Sequence, residues 1–405
     1  MTRAVELDVL ILGGGIAGLW TLDRLRGAGY SCLLLEKSAL GSGQTVASQG
    51  IIHGGVKYAL SGAASRASRA IAAMPSIWSD CLRGLGQPDL SEVRVLSESC
   101  VMWTTPGLGS RLVGLAASKA IRNRPEAVDA SDRPAVFDGA PRGVDVYAMP
   151  EPVLEPRSLV SVLAAGHLDA IGLAPEIGFA GTGARDREIR VGDLVFRPRV
   201  VIAAAGGGNE SIARSLGDET DEPMMQRRAL HMVMVRKPVG EDLPMIFGHC
   251  IGRSSMPRAT ITTGTDAGGR RVWWVGGQIA ERGVERDLET QLGAARAELA
   301  TVLPWVDLSR AQLATVRIDR AEGFMPTGRR PDEPVIREIP DEGDPGGVPA
   351  GLVCWPTKLA FAPAVAERVL ERLAGLAPRH SQPTLDLERP PIADLPWDAE
   401  GVRWH

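Results

Sequence analysis

Long apolar runs are missing from this chain of 405 residues, and nothing in it approaches the ~20 consecutive apolar residues of a membrane span. The opening Met1–Asp8 stretch is charged, and the apolar run after it is strand-length and closed by glycines, so no secretory leader is read there. Cysteine is sparse and scattered. Cys32, Cys81, Cys100, Cys250 and Cys354 form no C-x-x-C pair, which argues against a zinc site or a disulfide framework and for a reducing compartment. An excess of positive charge is also absent: the net charge is -4, without the basic footprint of a nucleic-acid binder. No internal repeat is visible. The expectation from these absences is a cytoplasmic protein with no metal, no nucleic-acid partner and no integral membrane segment.

What is present is apolar residue in quantity, 44% of the sequence, enough to exclude disorder. The length exceeds that of one small core and predicts two intertwined domains. Asp8-Val9-Leu10-Ile11-Leu12 is a short continuous apolar run of the kind buried in a parallel sheet. Glycines follow at once, then a helical stretch from Ile16 to about Ala28, then a second strand over Ser31–Glu36. This strand-turn-helix-strand unit opens a doubly wound α/β fold. Two more apolar runs, Arg199–Gly206 and Gly351–Trp355, lie far downstream, so one sheet is expected to draw on separated segments. Between them, Val93–Trp103, Leu230–Val235, Arg258–Thr263 and Arg271–Val275 read as strands of an antiparallel sheet, and Gln291–Val302 as a helix. The predicted organisation is a Rossmann-like nucleotide-binding domain (1–87, 151–225 and 317–377) with an inserted antiparallel α+β substrate domain (88–150 and 226–316). Residues 378–405 read as a C-terminal tail in the form of an extended surface wrap.

Gly13-Gly14-Gly15-Ile16-Ala17-Gly18 fits G-x-G-x-x-G. Gly13 permits the tight turn and Gly15 lets backbone approach a pyrophosphate seated on the helix N-terminus. Gly18 permits close helix-to-strand packing, and Ile16 and Ala17 complete the turn. Glu36 ends the second strand, where a carboxylate accepts both ribose hydroxyls. Lys37 beside it does not argue for NADP, because the acid repels a 2′-phosphate. From these residues alone, FAD and NAD both remain open.

The next segment, Gly41-Ser42-Gly43-Gln44-Thr45-Val46-Ala47-Ser48-Gln49-Gly50-Ile51-Ile52-His53-Gly54-Gly55-Val56-Lys57-Tyr58, resembles the signature of the D-amino-acid oxidase / glycerol-3-phosphate dehydrogenase superfamily of FAD-dependent oxidoreductases. That family carries a G-x-S-x-x-S run followed by I-H-G-G-[LV]-R-Y. The resemblance implies FAD. It implies that Thr45 and Ser48 occupy hydroxyl positions near the pyrophosphate and the ribityl group, with Gln49, Gly50 and Ile51 as neighbouring contacts. It further implies that Ile177 lies in a strand meeting the adenine and that Ala205 and Gly206 border the flavin. Pro356-Thr357-Lys358-Leu359-Ala360 resembles the family's G-G-K-[LI]-T stretch, which puts Lys358 and Leu359 at the pyrimidine end of the isoalloxazine. No cysteine matches a covalent flavin attachment, since Glu322 and Gly323 stand near that place, and a dissociable FAD is expected.

A reduced flavin gathers negative charge, which a cation stabilises, and Lys358 is the candidate by resemblance. His53 is the candidate base for a substrate hydroxyl or amine, although a histidine between glycines also serves packing. Lys57 and Tyr58 are candidates to line the substrate cavity; a strand-end pair of this kind also serves as a solvated edge. The family's G-x-R-P run, whose arginine grips a substrate anion, is here Gly323-Phe324-Met325-Pro326, with methionine in the arginine's place. Arg253, Arg258, Arg320, Arg329 and Arg330 are the cations available to compensate. Trp273 and Trp274 read as core, with one ring over the substrate site as the alternative. The implied activity is hydride transfer from a C–OH or C–NH bond of a small polar substrate to FAD, with oxygen or a quinone as the unknown electron acceptor. Two other readings stand beside it: a flavin monooxygenase, whose G-D motif in the middle of the sequence is not found, and a non-catalytic FAD-binding subunit.

Overall fold

The computed structural model describes residues 3–54, 73–105, 126–181, 187–252, 256–341, 347–383 and 387–405. The apolar run near the start forms β1 (Arg3–Leu12), whose Leu7 and Val9–Leu12 are sealed from solvent on both faces of a sheet. Helix α1 (Ile16–Gly27) follows, and β2 (Cys32–Glu36) pairs in parallel with β1, Leu12 opposite Leu35. The turn between β1 and α1 closes on β2, because the Gly13 N–H donates to the Leu35 carbonyl at 2.9 Å. Gly13 sits at φ +112°, the left-handed region that glycine alone occupies freely, and a Cβ there would lie 2.6 Å from Ala205 Cα.

Leu194–Ala203 lies on the other side of β1 and Gly351–Trp355 beyond it, both parallel. Val335–Ile339 closes that edge antiparallel, and Ile171–Leu173 flanks β2. One eight-stranded sheet thus unites separated stretches of sequence, as the scattered apolar runs predict. The first helix packs on Ala362–Arg372, whose following Leu373 carbonyl accepts from the Tyr30 hydroxyl at 2.9 Å.

A second eight-stranded sheet runs in the order Gln312–Gly323, Met225–Arg236, Arg271–Gly276, Ala259–Thr265, Gly248–Ile251, Cys100–Thr104, Val146–Met149, Glu126–Ala127. It is antiparallel except where Gly248–Ile251 runs parallel to Cys100–Thr104, a pairing that strand-by-strand reading does not foresee. Alternation along Arg271–Gly276 sends Trp273 and Trp274 into the cores on opposite faces. Both rings are buried, with the Trp273 indole N–H donating to the Pro244 carbonyl and that of Trp274 to the Ala47 carbonyl. Packing is their role, and neither ring lines the cavity described below.

The tail is more than a surface wrap. Leu40 bridges to Ile392, Leu395 and Trp397 are buried, and the Trp397 indole fills the space over Gly264. His405 exchanges two backbone hydrogen bonds with Leu313. Burial of Leu395 and Trp397 is what turns the expected wrap into a packed strap between the two sheets. Among the described residues no helix is long and apolar enough to cross a membrane.

Candidate functional site

The loop that follows β2 folds back on the glycine turn. Thr45 Oγ1 accepts from the Ile16 N–H at 3.1 Å, and the Gly41 N–H donates to the Gly14 carbonyl at 2.8 Å. Glu36 is buried and points into the turn: its Oε2 accepts from the Gly14 N–H at 2.7 Å and its Oε1 from the Ser38 N–H at 3.0 Å. Gln49 spans to the second sheet, its side-chain amide donating to the Thr260 and Trp274 carbonyls, each at 2.9 Å. Gly50, at φ +69°, brings the backbone within reach of Leu154; a Cβ there would meet the Leu154 carbonyl oxygen at 1.9 Å. This close approach lets the Leu154 N–H donate to Gly50 and the Ile52 N–H to Pro152, both at 2.9 Å, and it lays His53 beside Glu151.

These elements enclose one cavity of about 830 Å³. One end is lined by Glu36, exposed Lys37, Ala174, Ile177 and Phe179. The middle is lined by Gly13, Gly15, Ile16, Ala17, Thr45 and Ser48, and then by Ala205 and Gly206. The far end meets the second sheet, where Gln49, Gly50, Ile51, His53, Thr357, Lys358 and Leu359 face Met232, His249, Arg320 and Arg330. The sequence-predicted residues therefore converge on a single elongated space, with Gly18 behind it packing α1 on the turn. Ile177 lines the cavity but lies outside a strand: the backbone leaves Ile171–Leu173 where the Ala174 N–H donates to the Glu36 carbonyl and Pro175 interrupts pairing, and Gly178–Ala180 begins one residue later. Lys57, Tyr58 and Arg253 lie outside the described residues.

Lys358 is half-buried, its ammonium 4.9 Å from the Phe361 ring centroid. Just before it, Thr357 is held at φ +60°, costly for a β-branched residue, and its buried hydroxyl has no hydrogen-bond partner among the described residues. A polar atom stranded on a cavity wall fits a site built for a polar occupant. Together with the glycine turn and the Glu36 carboxylate on the wall of the same cavity, it fits FAD. Ala205 is fixed from behind, its N–H donating to Asn209 Oδ1 at 2.7 Å, while Asn209 donates to the Cys354 carbonyl.

Glu151 is 1% exposed in its side chain; its Oε2 lies 3.2 Å from His53 Nδ1 and its Oε1 accepts from the Gly54 N–H at 2.7 Å. His249, buried, stacks on His53 with ring centroids 5.8 Å apart and bonds Thr260 Oγ1 through Nδ1 at 2.8 Å. Arg320 is pressed by burial first and by Arg228 second, which lowers its pKa to about 10, still charged at neutral pH; it shares Glu281 with Arg228 at 3.7 and 3.5 Å. Of the other cations considered, Arg258 is paired with Glu298 and Arg329 is exposed, whereas Arg320 and Arg330 reach the cavity. Met325 is partly exposed, its N–H held by Gln226. Sequence reasoning missed Glu151, His249 and Thr357. Only Thr357 carried a local signal, as the residue preceding Lys358.

A family model described as FAD dependent oxidoreductase matches residues 8–372. A Pseudomonas aeruginosa protein named as a probable FAD-dependent oxidoreductase is 44% identical over 402 residues, covering 98% of this chain and 99% of that one. A crystal structure of the FAD dependent oxidoreductase from that organism superposes with a TM-score of 0.82 at 39% identity, covering 98% and 99%. The fold is shared at greater distance with glycine oxidase from Geobacillus kaustophilus (TM-score 0.61, 15% identity, 91% and 95% covered). It is shared also with FAD-bound L-α-glycerophosphate oxidase from Mycoplasma pneumoniae (TM-score 0.61, 12% identity, 91% and 95% covered).

Proposed function

Because the chain belongs to the FAD-dependent oxidoreductase family and is an FAD-dependent enzyme, we propose that it oxidises a C–OH or C–NH bond of a small polar substrate. The observation that carries this reading is the single cavity joining the nucleotide turn and Glu36 at one end to His53, Lys358 and Arg320 at the other. FAD, when bound, supplies the hydride acceptor. Gly13, Gly15, Ile16, Ala17 and Glu36 hold its adenosine diphosphate half, with Lys37 and Ile177 at the adenine end. Thr45, Ser48, Gln49, Gly50, Ile51, Ala205, Gly206 and Leu359 border the rest.

The substrate lies at the His53 end, between the nucleotide sheet and the second sheet. His53 accepts the proton of the substrate hydroxyl or amine, and Lys358 sets a positive charge against the negative charge the reaction develops. Met325 cannot grip an anion, so an anionic group on the substrate is met by Arg320, whose charge Glu281 partly offsets. The names of the structural neighbours, one acting on glycine and one on glycerophosphate, support a small polar substrate. Oxygen or a quinone takes the electrons onward.

The test is an anaerobic screen of amines, amino acids and hydroxy acids against the FAD-loaded enzyme, following the flavin band near roughly 450 nm. A compound that bleaches the band identifies the bond attacked, and admission of air or a soluble quinone identifies the acceptor. With that compound, His53→Asn slows bleaching by about a hundredfold or more. An unchanged rate removes His53 from proton transfer.

A further inference from the structure

Two histidines and a buried carboxylate meet at the substrate end of the cavity. His53, Glu151 and His249 each present one ligand atom, all within 4.8 Å of one another. They come from three distant parts of the sequence: the loop paired with residues 152–154, the turn after Val146–Met149, and the strand Gly248–Ile251. The ligand bonds of a tetrahedral zinc site place neighbouring donor atoms roughly 3.3 Å apart. His53 Nδ1 and Glu151 Oε2 already stand at 3.2 Å. The third donor lies within 4.8 Å of both, so a shift of at most about 1.5 Å closes it on that edge.

The outer atoms of two of these side chains are already anchored in the way metal ligands require. Glu151 Oε1 is held by the Gly54 N–H at 2.7 Å, which leaves Oε2 directed at His53. His249 Nδ1 is held by Thr260 Oγ1 at 2.8 Å, which sets the ring orientation. Imidazole and carboxylate in a two-to-one set suit zinc and its first-row neighbours rather than calcium or magnesium. The site is reached through the cavity itself, since His53 and His249 both line it.

We infer that His53, Glu151 and His249 bind one divalent ion of the zinc class at the substrate end of the cavity. Coordination occupies the His53 lone pair, so a bound ion withdraws the base from catalysis. That consequence, though not the binding, rests on the role given to His53 above. The site is then an inhibitory one, through which a zinc-class ion switches the enzyme off and a chelator restores it.

Tag-free, FAD-loaded enzyme is titrated with zinc chloride in a calorimeter near neutral pH. The expected result is one ion per protein molecule, with affinity lowered at least tenfold in Glu151→Gln and in His249→Gln. Thr260→Val, which leaves all three ligands in place, lowers it by a smaller factor. Retained flavin absorbance and an unchanged melting transition show that each variant is folded. Absence of stoichiometric zinc in the wild type, or equal affinity in folded Glu151→Gln and His249→Gln, overturns the inference. A parallel arm follows bleaching by the substrate found in the screen: zinc slows it and EDTA restores it. Zinc held by the three residues without slowing bleaching overturns the inhibitory consequence and the base role of His53, while the binding site stands.

Discussion

Gly15→Ala and Gly18→Ala, three residues apart in one turn, separate the two requirements that the glycine motif serves. A Cβ on Gly18 would lie 2.0 Å from the Gly13 carbonyl oxygen, against the 3.4 Å at which ordinary contact begins. That neighbour is backbone, and its own N–H is tied to β2, so the first turn of α1 must retreat by about 1.4 Å. Overpacking of this kind costs about 3 kcal/mol, and the helix N-terminus leaves the pyrophosphate position as it retreats. A Cβ on Gly15 meets only Thr45 Oγ1 at 3.3 Å, and Gly15 has φ -78°, open to alanine. The apo fold therefore tolerates Gly15→Ala within ~0.5 kcal/mol, but the methyl stands where the phosphates approach backbone. Stripped of flavin, the Gly15→Ala protein is expected to melt with the wild type and the Gly18→Ala protein several degrees below it. Titration of both with FAD, read by quenching of flavin fluorescence, is expected to show at least tenfold weaker binding, a difference of about 1.4 kcal/mol. Wild-type FAD affinity in Gly15→Ala, or an unmoved melting transition in Gly18→Ala, refutes this account of the turn.

Two further outcomes follow from burial. All five cysteines are buried, and burial pushes the thiols of Cys32 and Cys100 well up, Cys81 to about 11, and Cys250 and Cys354 to about 12. Ellman's reagent should find none of them in the native enzyme and all five in denaturant. As pH rises past the ordinary thiol value of 9.0, the unfolded state loses thiol protons that the folded state keeps, so these groups lower stability from there until the folded values are passed. A urea midpoint that holds constant across that range would contradict the sign. Trp397→Ala empties the space over Gly264 and removes an edge contact with Trp274, at ring centroids 6.1 Å apart, and should cost about 3 kcal/mol in urea denaturation while leaving Glu36 and the glycine turn untouched. A cost under ~1 kcal/mol would mean that the strap carries little of the packing.

The nucleotide half of the site was legible because its determinants are local. A strand, a glycine turn, a helix and an acid lie within the first forty residues, and each constrains backbone or hydrogen bonding within its own neighbourhood. The Thr45–Gln49 segment and Lys358 are legible through resemblance, and the cavity gathers them. Ile177 reads as part of a strand by that same resemblance, whereas Pro175 interrupts pairing just before it. Glu151 and His249 were invisible for a different reason. Their meeting with His53 depends on three pairings between distant stretches, one of them the unforeseen parallel pair, and on the clearance at Gly50. No periodicity within any one stretch encodes such a meeting.

The order in which the nucleotide sheet is threaded bears on how the enzyme is made. The strand Leu194–Ala203 leaves the ribosome midway through synthesis, yet the Val201–Ala203 end of its outer edge finds its partner only in Gly351–Trp355. Until then a nascent polypeptide carries a bare, wholly apolar edge, the kind of surface that recruits other molecules. The wall formed by Trp355–Leu359 arrives with that same last strand, so the cavity is complete only once translation is nearly finished. Slower synthesis at low temperature, with riboflavin in the medium, should accordingly raise the yield of flavin-loaded protein more than any change to the surface.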